Sequence, residues 1–249
     1  MDFSKEEFDI VIQAGQSNSQ GCGLGDVEAP FIPNGNIWYF TDSHTVTMAQ
    51  EDVVDHQSIG NFSLTFADEY VKSGRLRDGR KLLIIRAAVG GTGFADNRWG
   101  MKDDLFLGMM DMTKRALALN PENNLVALLW HQGETDAQLN VSYKVHFKNL
   151  KTLVNAVKNT FNYKNLPFIA ADFVGQWKKD NLKICEPVIQ AIKDVCARIG
   201  NAKFVETSEL QSNDQKVGNG DTIHFCRDAQ YQLGEKYFSA FEQIMKSRT

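Results

Sequence analysis

The chain has 249 residues, 43% of them apolar, only 5 prolines and a formal net charge of −4. That length can bury a substantial core in one large domain or two small ones. The slightly acidic balance gives no reason to expect nucleic acid or an anionic membrane surface as a partner, and no apolar run approaches the ~20 residues of a membrane helix.

The opening residues 1–7 are polar and acidic, which predicts a cytoplasmic protein, or a secreted one whose leader has been removed. A short β-branched run, Ile10, Val11 and Ile12, reads as a buried strand. It runs into Ala14 and Gly15, small residues that let a chain turn sharply and expose the next side chain. That side chain is Ser17, set between Gln16 and Asn18. With a helical turn behind it, the free N–H groups at the start of the turn face whatever Ser17 attacks. The same position also suits a serine that simply caps a helix. The glycine-rich loop 21–25 lacks both phosphate-cradle patterns and no lysine follows it, so a nucleotide site there is poorly supported.

Residues 36–40 read as a strand, and the polar segment 41–61 as a long loop, which in a compact fold is usually functional or mobile. A helix is predicted over 62–73, with Phe62, Phe66 and Tyr70 on one face. Residues 82–85 form a second buried strand leading into Gly90-Gly91-Thr92, where adjacent glycines can bring backbone N–H groups close to a ligand. The next helix carries the stripe Leu105, Met109, Met112, Ala116 and Leu119, read as core, and stops at Asn120-Pro121. A strand over 125–130 delivers His131-Gln132-Gly133-Glu134-Thr135-Asp136. A long helix follows with Tyr143, Phe147, Leu150, Val154, Val157 and Phe161. Then come a strand over 168–174, a helix marked by Ile184 to Ile199, a short strand over 203–206, and a final helix bearing Leu233, Tyr237, Ala240 and Ile244. Strands alternating with helices predict a mostly parallel sheet with helices on both faces. No linker or composition shift divides residues 1–249, so a single domain is expected. The 4 cysteines show no paired spacing and the 5 histidines are scattered, so neither a disulfide framework nor a zinc site is expected.

The chemistry-bearing residues share one address. Ser17, Gly91, Gln132, Glu134 and Trp177 all stand just past the carboxyl end of a predicted strand, the edge where open α/β sheets hold ligands. Asp221 and His224, three residues apart before the last helix, can reach the same crevice. There the imidazole can take the Ser17 proton and the carboxylate can hold its tautomer. Trp99 and Trp177 follow strands at that edge and could offer flat faces to a sugar ring. Trp38 and Trp130 lie within strands and are expected in the core.

Gly15-Gln16-Ser17-Asn18, Gly90-Gly91-Thr92, His131-Gln132-Gly133-Glu134-x-Asp136 and Asp221-x-x-His224-Phe225 resemble, in order, the blocks of the SGNH (GDSL-like) hydrolases. The resemblance is strongest to their branch of sialate O-acetylesterases and acetylxylan esterases, carbohydrate esterase family six. It implies a three-layer α/β/α fold around a central, mostly parallel sheet of about five strands. It also implies Ser17 as nucleophile, His224 as base and Asp221 as the residue that orients it. The oxyanion hole it implies comprises the Ser17 and Gly91 N–H groups with the Gln132 side chain, where the general family has asparagine. Gln16, Asn18, Glu134, Trp99 and Trp177 become the candidate substrate contacts, with Glu134 also a second candidate for the orienting acid. The expected activity is removal of O-acetyl groups from a carbohydrate, an acetylated xylo-oligosaccharide or an O-acetyl sialic acid, with no metal or cofactor. The alternatives are a non-catalytic carbohydrate-binding protein on the same fold, or a hydrolase of lipid, short-chain acyl esters or thioesters. Nothing in the family blocks matches segment 41–61.

Overall fold

The structure, a computed structural model, describes residues 3–248; Met1 and Asp2 of the polar opening stretch lie outside the described residues. The strands are β1 (Glu7–Gly15), β2 (Ile37–Phe40), β3 (Val46–Met48), β4 (Asp52–Val54), β5 (Gln57–Ile59), β6 (Arg80–Arg86), β7 (Asn124–His131), β8 (Phe168–Ala171) and β9 (Ala202–Val205). The helices are α1 (Ser17–Gln20), α2 (Phe62–Lys72), α3 (Asp104–Ala118), α4 (Glu134–Gln138), α5 (Tyr143–Thr160), α6 (Gly175–Asp180), α7 (Leu182–Arg198), α8 (Asn213–Val217) and α9 (Arg227–Lys246).

Seven strands form the main sheet in the order β3-β2-β6-β1-β7-β8-β9, rather than the five expected. All pair in parallel except β3, which runs antiparallel to β2. The inner strands are apolar along their whole length because both faces are covered: Ile10 to Ile12, Leu82 to Ile85 and Ala127 to Trp130 are all fully buried. Helices α2 and α9 pack on one another, as do α5 and α7, and α3 lies against β1 and β6. The Met109, Met112 and Ala116 stripe, Trp38 and Trp130 are core, as their spacing predicts.

The chain leaves β1 for β2, returns through β6 beside β1, and then crosses to β7 on its other side. The strand order therefore reverses around β1, and a crevice opens outside the carboxyl ends of β6, β1 and β7. Register brings the three ends level, with Gln13 opposite Arg86 and Gly15 opposite His131.

Segment 41–61 is not a loop. It contains β3, the β4–β5 hairpin and a bridge from Gly60 to Gly23. Each of these strands is three residues long and largely exposed, too short for an alternating pattern to register. Glu51 anchors the segment: it is buried, ion-paired with Arg227 at 3.0 Å from Nε, and accepts from Tyr231 at 2.8 Å. The glycine-rich stretch 21–25 spends its Gly23 backbone on the Gly60 bridge rather than cradling a phosphate. The strand expected over 168–174 ends at Ala171.

Candidate active site

Ser17 is delivered by a turn that only glycine allows. Gly15 has φ near 130°, and a Cβ there would stand 2.1 Å from the His131 carbonyl oxygen. The Gln16 N–H donates to that same oxygen at 2.9 Å. Ser17 then opens the single turn of α1, with its N–H outside the helical ladder.

The Ser17 hydroxyl lies 2.9 Å from His224 Nε2, and His224 Nδ1 lies 2.9 Å from Asp221 Oδ2. Burial works against an ionised Asp221, but hydrogen bonds from Asn213 and His224 outweigh it and hold the carboxyl below its usual range. An ionised carboxylate only accepts, so Nδ1 carries the imidazole proton and leaves Nε2 to accept from Ser17. Asn213, which sequence reasoning missed, is the brace behind this pair. Its Nδ2 donates to Asp221 and to the Cys22 carbonyl, each at 2.9 Å, and its N–H donates to the His224 carbonyl at 2.8 Å. The only local signal for it was the cap of α8, where Ser212 and Gln215 form a reciprocal pair.

Beside Ser17 lies the exposed turn 89–91. A Cβ on Gly90 would be 3.5 Å from the Ser17 Cβ. The Gly90 N–H donates to Gln20 Oε1 at 2.8 Å, so α1 itself pins the turn. The N–H of Gly91 donates to no group among the described residues and is free for a ligand. Gln132 approaches from β7. Its Nε2 lies 3.4 Å from Gln16 Oε1 and 3.2 Å from Asp136 Oδ2, and its Oε1 is buried without a partner. Two flanking acceptors orient this amide with its N–H groups inward. Both contacts are at or beyond the long end of the hydrogen-bond range.

The five residues expected to touch substrate are all buried. Gln16 is buried, its Oε1 accepting from Thr135 at 3.1 Å and more distantly from Gly133 and Gln132. Asn18 is fully buried, donating to Glu134 Oε1 at 2.8 Å and to the Ile223 carbonyl at 3.0 Å while accepting from the Phe225 N–H at 3.1 Å. Glu134 is fully buried, and burial raises its carboxyl above the usual range. It lies 3.7 Å from His131 Nε2, and burial pushes His131 down to about 3. That ring is neutral, so no ion pair forms. Trp99 is fully buried against Trp130, and its indole donates to Thr92 Oγ1 at 3.0 Å, bracing the glycine turn from below. Trp177 is 7% exposed and packs on Phe173. Following a strand at the active edge does not expose an indole when the next turn folds back onto the sheet. Burial, together with the Asp221 and Glu134 carboxylates, pushes the Cys22 thiol up to about 11, which removes it as a competing nucleophile.

A serine, an imidazole and a carboxylate thus stand in hydrogen-bonded series at the switch point of a doubly wound sheet. The chain belongs to the family of carbohydrate esterases described as sialic acid-specific acetylesterases, whose pattern it matches over residues 7–243. As a member of that family it is a carbohydrate O-acetylesterase. It is 23% identical over 230 residues, 71% of this chain and 70% of the other, to the probable 9-O-acetyl-N-acetylneuraminic acid deacetylase of Escherichia coli (strain K12). Its fold matches the crystal structure of NanS with a TM-score of 0.78, at 17% identity over 97% of this chain and 98% of that one. It also matches a protein of Arabidopsis thaliana with a TM-score of 0.75, at 20% identity over 94% and 98% of the two chains. No helix of the described residues is long and apolar enough to cross a membrane.

Proposed function

We propose that the protein removes O-acetyl groups from a sialic acid-type sugar through an acetyl-enzyme on Ser17. The observation that carries this reading is the series from Ser17 Oγ to His224 Nε2 and from Nδ1 to Asp221, each step at 2.9 Å. His224 Nε2 takes the hydroxyl proton as Ser17 Oγ bonds to the acetyl carbon, and Asp221 stabilises the imidazolium. The carbonyl oxygen gains its charge against the Gly91 and Ser17 N–H groups and the Gln132 amide. The carbon–oxygen bond to the sugar then breaks, and His224 returns the proton to the departing sugar oxygen. A water deprotonated by His224 attacks the acetyl-enzyme, releasing acetate and restoring Ser17. The sugar assignment is supported by the family description and by the relative's name.

Fluorophosphonate labelling of the wild type, with Ser17→Ala unlabelled, tests the nucleophile. Acetate release from O-acetyl sialic acids and from acetylated xylo-oligosaccharides tests the sugar. Faster release from the sialic acids is expected, and the reverse order would move the substrate to the xylan side. A folded Ser17→Ala protein with near-normal turnover would overturn the reading, as would labelling without turnover of any acetylated sugar.

A further inference from the structure

The block from His131 to Asp136 brings a second buried group to the site besides Gln132. Asp136, on α4, is fully buried, and donors surround its carboxylate. Oδ1 accepts from the Ala95 N–H at 2.9 Å. Oδ2 accepts from the Phe94 N–H at 3.3 Å and from Gln132 Nε2 at 3.2 Å, and faces His146 Nδ1 at 3.0 Å. The chain passes directly over this carboxylate: a Cβ on Gly93 would stand 2.6 Å from Asp136 Oδ1 and 3.0 Å from Gln132 Nε2.

The proposed oxyanion donors come from separate strand ends, Gly91 beyond β6 and Gln132 beyond β7. Asp136 is bonded to both units, to the turn through Phe94 and Ala95 and to the Gln132 amide directly. On its other side the same amide meets Gln16, the neighbour of the nucleophile. We propose that Asp136 is a positioning residue for the oxyanion cradle, setting the separation between the Gly91 turn and the Gln132 amide. In the resting site the longer Gln16 contact is the one Gln132 exchanges for the oxyanion, and the Asp136 contact holds the amide in place meanwhile. Contacts that are long in a resting site commonly shorten only as the reaction proceeds. A carboxylate suits the task because it accepts at both oxygens. An amide there would turn an N–H toward at least one of the donors. This proposal rests on the serine-esterase reading above.

Wild-type fluorophosphonate labelling is scored first, because an unlabelled Ser17 overturns the serine reading itself, before any Asp136 variant is examined. With labelling established, Asp136→Asn is expected to lower kcat about 10- to 100-fold, the scale of a small misplacement of a reacting group. The loss is expected equally on an aryl acetate and on an acetylated sugar, with KM within about 2-fold. A purely structural role would instead lower the active fraction and leave kcat per folded molecule intact. The decisive readout is a double-mutant cycle. In a Gln132→Ala background, where the amide to be positioned is gone, Asp136→Asn should cost only about 3-fold or less. Gly93→Ala supplies a second route should Asp136→Asn not fold. It changes no donor and no charge but presses on the carboxylate and the amide together, and should reproduce the kcat loss and its dependence on Gln132. Losses that multiply independently of Gln132, a change confined to KM, or near-normal kcat in a folded variant would each overturn the proposal.

Discussion

Asp221 and Glu134 are both within reach of the nucleophile's neighbours, yet their surroundings give them opposite chemistry. Asp221 meets His224 Nδ1 and is held ionised by Asn213 and His224. Glu134 bonds Asn18, leaves Oε2 buried without a partner, and is pushed toward its neutral form by burial. Asp221→Asn is therefore expected to lower kcat by about 10²–10⁴, because the wrong imidazole tautomer is then favoured. Glu134→Gln should cost under about 10-fold. Initial rates on folded variants check the ranking, and the reverse order would make Glu134 the orienting acid. Glu134 also carries a pH signature. Its carboxyl binds a proton more tightly in the folded chain than in the unfolded one, so its contribution to stability falls as pH rises from its ordinary range through its raised folded value. Asp221 has the opposite sign: its contribution is present above its ordinary range and is lost as pH falls through its lowered folded value. Glu134→Gln should remove the first slope. Melting temperatures from mildly acidic to neutral pH would show it as a smaller decline for the variant than for wild type, and parallel curves would sink the argument. At this scale Ser17 was legible from its local place after Gly15, and Asp221 and His224 from their three-residue spacing. Asn213 and Gln20 were not legible, since contacts outside their own helices, from Asn213 to Asp221 and Cys22 and from Gln20 to Gly90, give them a role.

Long elements were readable because both faces of β1, β6 and β7 and one face of each long helix are buried, which imposes apolar runs and stripes on the sequence. The three-residue strands β3, β4 and β5 impose no such pattern. Besides their backbone pairing and the Asp52–Arg86 pair on β4, a buried ion pair runs from Glu51 to Arg227, two residues past Phe225 on the segment that carries His224. Glu51→Gln leaves the Arg227 guanidinium without its carboxylate and should cost about 3 kcal/mol, measured by urea denaturation, with protease cleavage appearing first within 41–61. A loss below about 0.5 kcal/mol would mean that the segment is held by its strands alone. The tryptophans show how the neighbours of an element decide its burial. Trp99 and Trp177 both follow strands at the active edge, and Trp99 packs on Trp130 while Trp177 packs on Phe173. Trp177→Ala should thus destabilise by about 3–5 kcal/mol, as a cavity does. Per folded molecule it should reduce kcat/KM on an aryl acetate and on an acetylated sugar by the same factor. A loss confined to the sugar would return the indole to the substrate site.

Across the whole molecule, the site is assembled from segments that meet only when the sheet is complete. Ser17 and His224 are 207 residues apart in the chain, Asn18 and Glu134 are 116 apart, and Gln20 and Gly90 are 70 apart, yet each pair is hydrogen-bonded. The Asn18–Glu134 bond is buried, so breaking it alone would leave unpaired polar groups in the interior. Ser17 follows the central strand β1, and His224 stands just before α9, which packs along α2. No lesser unit contains the Ser17, His224 and Asp221 series. Loss of activity in urea should accordingly coincide with loss of far-ultraviolet circular dichroism, as one cooperative transition across the matched residues 7–243. Local opening normally begins at segments with few buried contacts, and here those are β4 and β5, which carry none of Ser17, Asp221 or His224. Proteolytic nicking of the hairpin at moderate urea should therefore precede the activity loss rather than accompany it. An activity midpoint well below the circular dichroism midpoint would show that the 213–224 segment, with Asn213, Asp221 and His224, opens as a unit of its own. The single-domain organisation expected for the chain would then give way to a stable sheet with a separately folding catalytic arm.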